Sequence, residues 1–109
     1  MRTHTGEKPL HIATQYRGKT GMVYELECAG ALLDLHVSPR QTSADSGDWY
    51  VEARNGHTSD AVSIGRWGPT RAEALQDVGQ AWRSTGPALG LSDFDWIVVA
   101  QVLSAVNAL

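Results

Sequence analysis

The chain has 109 residues, of which 42% are hydrophobic and 19% charged, with a formal net charge of −3. That is enough apolar matter for one domain of ordinary size, and it excludes a wholly disordered chain, which would be apolar-poor and charge-rich. The acidic balance argues against a dedicated nucleic-acid-binding domain, which carries a basic excess. A single cysteine, Cys28, excludes an intramolecular disulfide and a cysteine-rich zinc site.

Residues 1–9 are polar, end in Pro9, and are expected to form a flexible arm ahead of one α+β domain over 10–109. They hold no apolar stretch of the kind a secretory signal needs. The longest apolar run, Trp96 to Ala100, is too short to cross a bilayer. The expectation is a cytoplasmic protein without membrane contact.

From Leu10 the pattern has a period of two. Leu10, Ile12, Thr14 and Tyr16 are expected on one strand face, with His11, Ala13, Gln15 and Arg17 on the other. A glycine-flanked turn over 17–21 leads to a second strand, where Met22, Tyr24, Leu26 and Cys28 alternate with Val23, Glu25 and Glu27. Ala29-Gly30-Ala31 marks a bulge, a bend or a short turn. Beyond it Leu33, Leu35 and Val37 oppose Leu32, Asp34 and His36. Residues 38–48, SPRQTSADSGD, form the clearest loop and the segment expected to move most. Trp49, Val51 and Ala53 then alternate with Tyr50, Glu52 and Arg54. Asn55-Gly56 is a hairpin signal, and the returning strand is expected over about 59–67.

The period then changes. Thr70 with Glu73 three residues on fits a capping box. Leu75, Val78 and Trp82 form a helical stripe, flanked by Ala74 and Ala81, and Gly86-Pro87 ends it. A second helix is expected from Ser92 or Asp93, with its body from Trp96 to Leu109. That body has no charged side chain; Gln101, Ser104 and Asn107 mark one polar stripe. Strands followed by helices imply an α+β domain: an antiparallel meander of four or five strands with two helices packed on one face.

His4-Thr5-Gly6-Glu7-Lys8-Pro9 is identical to the linker between tandem C2H2 zinc fingers, so residues 1–9 resemble that linker. No finger accompanies it: zinc needs four ligands, His4 lacks the second histidine that closes a finger a few residues before it, and no cysteine appears until Cys28. Over residues 48–82, two strands followed by Thr70-Arg71-Ala72-Glu73-Ala74-Leu75 and Val78 resemble the helix start of HicB-type antitoxin domains. That resemblance implies a core of sheet and helix, and no functional residue is carried over from it.

No phosphate loop, zinc motif, calcium loop or nucleophile elbow is present. His36 and Asp34 share a strand face as a polar pair, and Cys28 sits in an apolar alternation. No cofactor and no metal are expected, and the chain reads as a binding module rather than an enzyme. The feature that asks for a partner is the uncharged C-terminal helix, with a seam of Trp96, Val99, Leu103 and Val106. The expected partner is a second copy of the chain or another protein. The alternative is a nucleic-acid-associated regulator using Arg2, Lys8, Arg17, Lys19, Arg66 and Arg71.

Overall fold

The computed structural model describes residues 9–39, 48–56 and 58–109. Five strands, β1 (His11–Arg17), β2 (Met22–Cys28), β3 (Ala31–Pro39), β4 (Trp49–Arg54) and β5 (Ser63–Gly68), form one antiparallel sheet in the order β1-β2-β3-β4-β5. Helix α1 (Arg71–Thr85) follows, then a short 3-10 turn (Pro87–Leu89) and helix α2 (Trp96–Ala105). The chain is the expected α+β meander with both helices on the sheet.

The alternation of side chains sorts the sheet into two faces. Tyr24 and Leu26 on β2, Leu33, Leu35 and Val37 on β3, Val51 and Ala53 on β4, and Ile64 on β5 turn to the helices and are buried. They share one core with Ala74, Leu75, Val78 and Trp82 of α1 and with Trp96, Val99 and Leu103 of α2. The other face carries Glu25, Asp34, His36, Tyr50, Glu52, Arg54 and Trp67, a polar set that suits a sheet with one wet side.

The expectation for β1 needs a correction. Ile12 pairs with Leu26 and Thr14 with Glu25, so Ala13 is an extra residue in the ladder. Such a bulge switches the faces beyond it. Leu10 and Ile12 pack on the core as expected, but Thr14 and Tyr16 fall on the polar face, and Tyr16 is 45% exposed.

Of two connections, the first is the short turn among the alternatives read from Ala29-Gly30-Ala31, and the second differs from the sequence pattern. β2 and β3 are joined by a tight turn in which Ala29 (φ 52°) and Gly30 (φ 85°) both take left-handed backbone, which matches the twist of the flanking strands. Asn55-Gly56, by contrast, opens a longer connection, and β5 begins only at Ser63. The Asn55 side chain accepts from Val62 N at 2.8 Å, so its amide closes the mouth of that loop. The linker-like residues before Pro9, with Arg2 and Lys8, and loop residues 40–47 lie outside the described residues.

α1 starts as its capping box directs: Thr70 Oγ1 accepts from Glu73 N at 3.1 Å. α2 starts later than expected. Asp95 caps it, accepting from Ile97 N at 3.1 Å and Val98 N at 3.3 Å, so Ser92 to Phe94 stay outside the helix. It also ends sooner. Asn107 (φ 60°) reverses the chain, and Ala108 N donates to Leu103 O at 2.9 Å and returns to the core.

Candidate functional site

The helix layer is held by three rings. Trp82, Phe94 and Trp96 have centroids 5.8–6.5 Å apart at steep angles, the geometry that aromatic quadrupoles favour. Trp82 Nε1 donates to Ser92 O at 2.8 Å and ties the segment before α2 to α1. Trp96 is also buried, but its indole N–H has no acceptor.

Between α1 and α2 runs a groove of about 720 Å³. On the α1 side it is lined by Leu75, Gln76, Gly79, Gln80 and Arg83, and on the α2 side by Trp96, Ile97, Ala100, Gln101 and Ser104. Gly79 explains why the two helices meet where they do. A Cβ there would come within 2.9 Å of Trp96 Cγ, so only glycine admits the indole. Ile97, 68% exposed, stands at the groove edge. Among the described residues Arg83 is the sole charged side chain in the lining, which also includes the terminal residue Leu109.

Of the seam expected to meet a partner, Trp96, Val99 and Leu103 are instead buried within the chain's own core. The reason is angular: they form the one stripe of α2 that turns into the shared core, where Trp96 meets Gly79 and Trp82 of α1. Val106 lies just past the last helical turn and is 41% exposed. Helical periodicity puts it on a flank with Val98, Val102 and Ala105, away from the groove. Val98 and Val102 are half-buried, and Ala105 is exposed.

The described basic residues do not come together. Arg17 and Lys19 belong to the β1 edge, whereas Arg66 lies on β5 and Arg71 opens α1 at the other end of the sheet. Four strand spacings of about 4.8 Å put these edges roughly 19 Å apart. Arg66 donates to its neighbour Gly65 O at 2.8 Å, and the Arg71 guanidinium sits 4.9 Å from the centre of the Trp49 ring. Asp34 and His36 share the polar face as the alternation predicts, with Asp34 opposite Glu25 and Arg54, and His36 opposite Glu52. Cys28 alternates onto the helix-facing side. Among the described residues no three His, Cys, Asp or Glu side chains converge as a metal site.

On the polar face Tyr50 packs against Trp67 in a tilted contact, with centroids 4.6 Å apart, and donates to Glu52 Oε1 at 3.3 Å. Partial burial, and then the negative charge of Glu52, raise the Tyr50 pKa above the ordinary 10.0. No helix of the described residues is long and apolar enough to cross a membrane.

No family model, no curated protein and no solved structure matches this chain.

The groove was not legible in the sequence, because it depends on how α1 and α2 cross. One signal pointed toward it. Gly79 interrupts a run of good helix formers in the middle of a helix, where glycine often marks a close approach.

Proposed function

We propose that the chain is a non-catalytic interaction module, and that its partner is a second copy of itself, met through the α2 flank of Val98, Val102, Ala105 and Val106. The observation that carries this reading is an apolar flank left partly open on a helix without a charged side chain. Two copies related by a twofold axis would offer each other the same stripe, and Ala105 would let the helices come close. The separation of Cys28 from Asp34 and His36 across the sheet supports a non-catalytic role. A cytoplasmic setting fits the single unpaired cysteine.

Light scattering on the eluting protein over a range of concentrations tests the reading. The expected result is a dimer that Val106→Glu converts toward monomer, since an unpaired charge is costly in an apolar contact. A wild-type chain that stays monomeric at the highest concentration overturns it.

A further inference from the structure

The chain has two asparagines, Asn55 and Asn107, and both are exposed. The structure nevertheless holds them in opposite ways. An asparagine can convert itself when the backbone nitrogen of the next residue attacks its side-chain carbonyl carbon. Three things govern that attack. The nitrogen must be free of other bonds, nothing must shield it, and the carbonyl oxygen, which takes the negative charge of the tetrahedral intermediate, gains from a donor already in place.

At Asn107 the attacking nitrogen would be that of Ala108. It donates to Leu103 O at 2.9 Å, and Ala108 is buried in the core. Attack would break that bond and draw the methyl group out of its packing.

At Asn55 all three conditions are met. The attacking nitrogen is that of Gly56, which among the described residues makes no hydrogen bond. Glycine has no side chain to shield it, and even a Cβ at position 56 would meet nothing within 4 Å, so the approach is open. Val62 N donates to Asn55 Oδ1 at 2.8 Å, and that oxygen is the one that becomes anionic. A hydrogen bond strengthens when its acceptor gains a full charge, so this donor favours the intermediate over the ground state.

We propose that Asn55 is a self-modification site, at which the folded chain converts its own side-chain amide to a carboxylate. The Gly56 nitrogen gives up its proton and bonds to Asn55 Cγ. The Cγ–Nδ2 bond breaks, and ammonia leaves with that proton. Water then opens the cyclic imide. Addition at Cγ leaves aspartate; addition at the backbone carbonyl carbon leaves isoaspartate, with the main chain running through the former side chain. Either product adds one negative charge to a chain of formal net charge −3. Isoaspartate also lengthens the backbone by a carbon where β4 hands over to the loop, and so displaces the acceptor that Val62 N now reaches.

The test incubates the full chain in mildly alkaline buffer, folded and in guanidinium, and follows the amide-to-acid change at each asparagine by peptide mass mapping. At Asn55 the folded chain should convert at least as fast as the unfolded one. At Asn107 folding should slow conversion roughly tenfold, the weight of one backbone hydrogen bond that must open first. In the isoaspartate product, hydrogen exchange at the Val62 amide should quicken. An Asn55 that converts more slowly folded than unfolded, an Asn107 that folding does not slow, or Val62 exchange that isoaspartate leaves unchanged overturns the proposal.

Discussion

A Cβ at position 79 would lie 2.9 Å from Cγ of Trp96 and 3.0 Å from its Cδ2, so α1 and α2 cross at a point where one helix has no side chain. The indole there is rigid and buried, and it cannot yield as the tip of a flexible chain would. Gly79→Val is therefore expected to destabilise the fold by about 1–3 kcal/mol through overpacking. In Gly79→Ala, a gain of about 1 kcal/mol in helix propensity offsets part of the same strain. Thermal unfolding followed by circular dichroism should rank the two variants in that order. A valine variant as stable as the wild type would mean that the helices do not meet as described.

Trp82 and Trp96 are neighbours in one cluster but differ in a way that mutation can read. Trp82 Nε1 reaches Ser92 O, whereas the Trp96 N–H has no acceptor. Phenylalanine at position 82 deletes a hydrogen bond and strands a carbonyl; at position 96 it deletes an unmade one. Trp82→Phe should cost about 1 kcal/mol more than Trp96→Phe, the net worth of a typical hydrogen bond. Urea unfolding of both variants measures the difference, and equal losses would contradict the assignment of the two donors.

The turn between β2 and β3 places a non-glycine residue, Ala29, in left-handed backbone with φ 52°. Alanine gains nothing from that conformation, while asparagine tolerates it and is favoured at this position of such turns. Ala29→Asn should stabilise the protein by roughly 0.5–1 kcal/mol, the difference between a disfavoured and a favoured left-handed residue. Unchanged or lower stability in denaturant would argue against this turn geometry.

Tyr50 supplies a pH dependence of definite sign. Its pKa is raised above 10.0, first by desolvation and next by Glu52. The folded state thus holds the phenolic proton more tightly than the unfolded chain. The stabilisation this gives is intact below about pH 10 and is lost as pH rises through the folded value. The phenolate absorbance of the wild type minus that of Tyr50→Phe isolates this group. Glu52→Gln should lower its midpoint part of the way toward 10.0, leaving the contribution of burial. A midpoint that does not move would remove Glu52 from the account.

The sheet was readable because each of its central strands has one wet face. In β2, β3 and β4 the alternation of apolar and polar residues assigns nearly every side chain to its observed side. β1 was misread beyond Ile12 because a bulge adds a residue without changing the local composition. The Asn55-Gly56 signal was local, whereas the connection is set by the Asn55 amide reaching seven residues ahead to Val62. Thr70 and Glu73 fixed the start of α1. α2 was overextended at both ends, because Ser92 and Asp93 look as good a cap as Asp95, and because nothing apolar in its last turn announces the reversal at Asn107. The seam of Trp96, Val99 and Leu103 was correctly seen as a surface needing cover; that the cover is the chain's own core, with α1 over Trp96, is a fact of tertiary packing.

The meander order has a consequence for how the chain reaches this state. Every strand pairs with its neighbour in sequence, so each ladder can close without waiting for a distant segment. Chains with such local pairing pay little loop-closure entropy before contacts reward them, and they fold fast for their strand content. The late step is the docking of the helices. α2, the last element, brings Val99 and Leu103 onto strands laid down some 70 residues earlier, so it is the part of the core whose formation must wait for almost everything else.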